Sequence, residues 1–102
     1  MKIAILLAVL TTPLIAGECR ALVGGTGCRT RQLAIERIFE KIPGVREVTI
    51  LPRAEAPKEN QRIFVIRCDG KTPDREQLIA ALGRRAKHYQ VISVTPASAD
   101  RP

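Results

Sequence analysis

Four side chains in this sequence are soft or redox-active donors: Cys19, Cys28, Cys68 and His88, the only histidine. Thiolates hold soft ions such as Cu(I) or Hg(II), two thiols can join as a disulfide, and an imidazole can complete a metal site. Cys28 stands inside Gly24 to Gln32, "GGTGCRTRQ", where glycines run into a helical pattern with Arg29 and Arg31 beside the thiol. A positive helix end flanked by two guanidiniums favours thiolate chemistry. Three uses follow: a one-thiolate metal site, an intermolecular disulfide between two copies of the chain, or a redox-reactive thiol. The plainer reading is a thiol left over from a lost two-cysteine site.

Other chemistries lack their parts. No serine, histidine and acid arrangement and no paired carboxylates beside a cleft can be picked out, so the chain is not expected to be an enzyme. The glycines before Cys28 also resemble a phosphate loop, but Arg29 stands where that loop needs lysine, and the chain is too short for the nucleotide-binding fold behind it. A formal charge of +7 favours anionic partners. Nucleic acid is not expected among them: the only aromatics, Phe39, Phe64 and Tyr89, occur in core-like contexts rather than as stacking platforms.

The chain has 102 residues, enough for one domain. Met1 to Ala16, "MKIAILLAVLTTPLIA", joins a lysine, an apolar run too short to span a bilayer, a proline and small residues. That is the grammar of a signal peptide ending at residue 16. Glu18 before Cys19 argues against a lipidation site. Removal of the segment leaves about 85 residues in the periplasm or secreted, where disulfides form, with no stable membrane insertion after cleavage.

The elements that must position the donors can be read in order. Glu18 to Val23 alternates as a short strand that the glycines end. Ile35, Ile38, Phe39 and Ile42 form one apolar stripe on a helix between Thr30 and Ile42, which Pro43 and Gly44 stop. Val45 to Leu51 and Arg62 to Cys68 are β-rich and read as a hairpin, with the polar Pro52 to Gln61 between them. Thr72 is expected to cap a second helix with Pro73 at its first position, Leu78, Ile79, Leu82 and Ala86 as its buried stripe, and Arg84, Arg85 and Lys87 at its negative end. Tyr89 to Thr95 is the last strand, and residues 96–102 read as a disordered tail.

The order β-α-β-β-α-β is that of a ferredoxin-like α+β sandwich over residues 18–95, a four-stranded antiparallel sheet with both helices on one face. In that sheet the first and third strands are antiparallel neighbours, so Cys19, which starts one, lies near Cys68, which ends the other. Alternation puts both on the helix-facing side. A Cys19–Cys68 disulfide is therefore expected, closing a loop of roughly 50 residues and contributing about 4 kcal/mol in the chain-entropy model. The alternative is a pair of buried, inert thiols.

Gly25, Thr26, Gly27 and Cys28, then Ile35, Phe39, Ile42, Pro43, Gly44 and Val45, resemble the pattern of the heavy-metal-associated domain in unbroken register. This is the module of copper chaperones, metal-pumping ATPase N-termini and the periplasmic mercury-binding protein. Thr72-Pro73 and Leu78 to Leu82 look like that family's second helix. The resemblance implies metal binding, with Cu(I) or another soft ion as cargo and a metal-donor or metal-acceptor protein as partner. Arg31 departs from the pattern, standing where the second cysteine belongs. The turn "RRAKHY" is about two residues longer than the family's, and it offers His88 as a replacement ligand for Cys28. A second copy of Cys28, in a homodimer, is another. The competing expectation is a fold that has lost its metal and serves as a protein-interaction or structural module.

Overall fold

The computed structural model describes residues 16–96. Strands β1 (Ala16–Gly24), β2 (Val45–Ile50), β3 (Gln61–Asp69) and β4 (Gln90–Pro96) are joined with helices α1 (Arg29–Glu40) and α2 (Arg75–Leu82) in the order β-α-β-β-α-β. The strands form one antiparallel sheet in the order β2-β3-β1-β4. This is the ferredoxin-like arrangement expected from the sequence. The expected signal peptide lies outside the described residues except for Ala16, which begins β1, and the expected tail does so except for Pro96, which closes β4.

Strand alternation sorts side chains onto a dry side and a wet side. Cys19, Ala21 and Val23 of β1, Phe64, Ile66 and Cys68 of β3, Val48 of β2 and Val91 of β4 are buried together with Ile35 and Phe39 of α1 and Leu78 and Leu82 of α2. Each large apolar side chain so buried contributes about 1.5–3 kcal/mol before entropy is counted. Phe39 and Phe64 meet edge to face at 5.8 Å, tying α1 to the middle of the sheet. On the opposite side, Glu47, Arg67 and Glu18 form a rung across three strands, with ion pairs of 3.4 and 3.2 Å. These pairs are largely exposed, so they fix strand register more than they add stability.

The second helix begins and ends differently from the sequence expectation. Its cap is Asp74, not Thr72: the Asp74 carboxylate accepts from the Gln77 amide at 2.8 Å, and the Gln77 side chain accepts from the Asp74 amide at 2.9 Å. This reciprocal box satisfies the amides of both Asp74 and Gln77. The helix stops at Leu82 because Gly83 takes a positive φ of 58°, and Gly83–Lys87 continues as a tighter 3-10 turn. Arg84, Arg85 and Lys87 therefore belong to this turn rather than to the helix. β4 follows as an edge strand with a bulge at Ile92, where Leu22 pairs with Ser93 and Val23 with Val91.

Candidate functional site

The stretch from Gly24 to Gln32 is a loop braced from inside. Gly25 has φ +83°, the left-handed conformation that only glycine adopts without strain, and this turns the chain off the end of β1. The amides of Gly25 and Thr26 both donate to the Asn60 carbonyl, at 2.9 and 3.0 Å. Thr26 points inward, fully buried, and its hydroxyl donates to the Val23 carbonyl at 2.8 Å. Gln32, also buried, donates its side-chain amide to the Thr26 carbonyl at 3.0 Å.

This brace presents Cys28. The residue is the N-cap of α1, in extended conformation (φ −114°, ψ 155°), and it is exposed. Its side chain makes no capping hydrogen bond, and the first turn of α1 holds no acid. Arg29 and Arg31 occupy that turn instead, both exposed. The thiol therefore sits at the positive end of a helix with added cationic charge. Arg31 lies one helical turn on from Cys28.

The burial and the bracing role of Thr26 and Gln32 are what sequence reasoning passed over. A signal was available for Gln32: it precedes Ile35 by three and Phe39 by seven, so it continues the buried stripe of α1 by one turn. Its polarity disguised it. Burial is tolerated because its amide has a partner, as buried polar groups require.

His88 follows the 3-10 turn and is exposed. Its backbone is brought against the thiol loop: a carbon added to Gly25 would lie 2.6 Å from the His88 carbonyl oxygen and 3.4 Å from the Tyr89 ring. The loop and the turn thus share one end of the domain, as expected. Among the described residues, no group of three or more histidine, cysteine or acidic side chains gathers in a way that could hold a metal ion.

Cys19 and Cys68 lie toward the opposite end of the domain. Both are buried, on the side of the sheet that the helices cover. Both are free thiols, so the expected disulfide is not formed in this structure. The physical reason is register. Cys19 pairs with Ile66 and Cys68 with Gly17, which makes the two cysteines diagonal neighbours rather than direct partners. Diagonal Cβ atoms stand up to roughly 7–8 Å apart, whereas a disulfide needs about 3.5–4.5 Å. Burial pushes the Cys19 thiol up to about 11, with the neighbouring Cys68 and then Glu18 adding to the rise. Burial, followed by Asp69, raises Cys68 as well.

No protein-family model matches this chain, and no curated protein matches it significantly.

Proposed function

We propose that this chain is an exported domain of the heavy-metal-associated kind, which takes a soft metal ion such as Cu(I) as cargo at the single thiol of Cys28. The observation that carries this reading is the placement of Cys28: exposed, at the N-terminus of α1, on a loop whose shape is held by the buried Thr26 and Gln32. A small ferredoxin-like domain has no need of such an exposed thiol for its core, while a soft ion does. One thiolate beside two arginines holds an ion weakly, which fits transfer better than storage. The imidazole of His88 or a thiol of a donor or acceptor protein completes the coordination, and a second copy of Cys28 does so in a homodimer. The ion is bound without redox change at the metal, and no catalysis is assigned.

Native mass spectrometry of the reduced protein with Cu(I) tests this reading. One ion per chain or per dimer is expected for the natural sequence and none for Cys28→Ser; equal uptake by both would remove Cys28 from the site. Arg31 favours a second reading, in which the fold has lost its metal and its basic thiol-bearing end docks an acidic protein surface. That reading requires no stoichiometric Cu(I) uptake by either form.

A further inference from the structure

The diagonal thiol pair raises a separate question from the exposed loop. Cys19 and Cys68 face the same buried side from neighbouring strands, and Gly17, the register partner of Cys68, contributes no side chain between them. The segment carrying Thr72 and Pro73 covers this corner: a carbon on Gly17 would meet Thr72 Cγ2 at 2.8 Å. A cavity of about 280 Å³ opens there, lined by Cys19, Thr72, Pro73, Asp74, Arg75 and Val94 among others. Of the two cysteines, Cys19 lines it and Cys68 does not.

We infer that Cys19 and Cys68 form a second, buried metal site, which holds one divalent soft ion of the Hg(II) class between two thiolates. The separation of the pair is the first reason. A metal–thiolate bond of about 2.3 Å on each side puts linearly bridged sulfurs about 4.6 Å apart and their Cβ atoms roughly 5–7 Å apart, within reach of a diagonal pair, whose Cβ atoms stand somewhat under about 7–8 Å. A disulfide cannot cover that span without moving a strand.

Charge is the second reason, and it selects the ion. The two thiols bind a divalent ion by releasing two protons and forming two metal–sulfur bonds, and no electrons are exchanged. The product is neutral, so it can be buried without the cost of an isolated charge. A monovalent ion in the same place would leave a net negative unit in the buried core, which carries the cost of an isolated charge. The buried pair is thus selective for charge where the exposed Cys28 is not.

The test uses reduced full-length protein carrying Cys28→Ser, so that the outcome does not depend on the exposed loop. With Hg(II) added, the expected result is one ion bound, two protons released, and loss of both remaining thiols from titration. The melting temperature should rise by about 10 °C or more once free ion exceeds its dissociation constant about 100-fold. Adding Cys19→Ala or Cys68→Ala should abolish the rise. The inference is overturned if the ion is not taken up, or if uptake lowers the melting temperature, which would mean that the unfolded chain captures it. It is equally overturned if both thiols still titrate after the ion is taken up, because the ion then sits elsewhere. The Cys28→Ser protein decides among these outcomes even where an alanine variant fails to fold.

Discussion

A carbon atom on Gly25 would stand 2.6 Å from the carbonyl oxygen of His88, closer than any side chain can approach without moving the backbone. The loop after β1 and the turn before β4 meet at this glycine. The positive φ of Gly25 adds a second reason for glycine at this position.

Gly25→Ala should therefore cost about 2–4 kcal/mol of folding stability, since it combines backbone strain with a clash against main chain. Gly44 offers the control: its φ is +94°, but open space surrounds its missing side chain. Gly44→Ala should cost only the conformational part, about 1–2 kcal/mol. Urea midpoints of the two variants check the ordering, and equal losses would mean that the contact with His88 carries no weight.

Removing the hydroxyl inside the thiol loop should be felt although no metal is involved. Thr26→Val keeps the shape but leaves the Val23 carbonyl without its side-chain donor, at a cost of about 1–3 kcal/mol. Gln32→Leu should lose a similar amount through the Thr26 carbonyl. The two losses should be less than additive, because both side chains brace the same turn. Chemical denaturation of the single and double variants measures the coupling.

Arg31→Cys should restore a second thiol one helical turn from Cys28. Under the proposed function, Cu(I) affinity rises by well over about 100-fold, since even outer-shell changes around a metal are worth about 10–100-fold. Competition against a Cu(I) chelator gives the number. Stability should change by less than about 0.5 kcal/mol, as Arg31 is exposed and forms no ion pair among the described residues.

The reduced protein should lose stability in alkali. A thiol raised in the folded state keeps its proton there while the unfolded chain loses it, so the stabilisation is complete below about pH 8.5 and fades as pH rises toward 11. For Cys19 the loss should be about 2 kcal/mol. Comparison with Cys19→Ala between pH 8 and 11 isolates this contribution from the lysines and the tyrosine that also titrate there. A parallel slope in both proteins would show that the Cys19 thiol is not buried.

Much of this domain could be read along the chain because its signals are local. The stripe from Ile35 to Phe39, the alternation through Cys19, Ala21 and Val23, and the glycines between them each depend on residues a few positions apart. They were enough to anticipate the element order, the sheet and the position of Cys28 at a helix start. The cap of α2 was anticipated two residues early, because Thr72-Pro73-Asp74 contains two capping side chains and only the reciprocal bonds with Gln77 choose between them.

What the tertiary structure alone decided was register and distance. Alternation places Cys19 and Cys68 on one side of the sheet, but a shift of two residues separates direct partners from a diagonal pair, and nothing local encodes that shift. The pairing of Cys19 with Ile66 settles it, through the packing of β1 against β3 along their whole length. The burial of Thr26 and Gln32 is of the same kind. Their polar side chains carry no hydrophobic signal, and only the closure of the loop onto Asn60 and Val23 provides the partners that let them go inside.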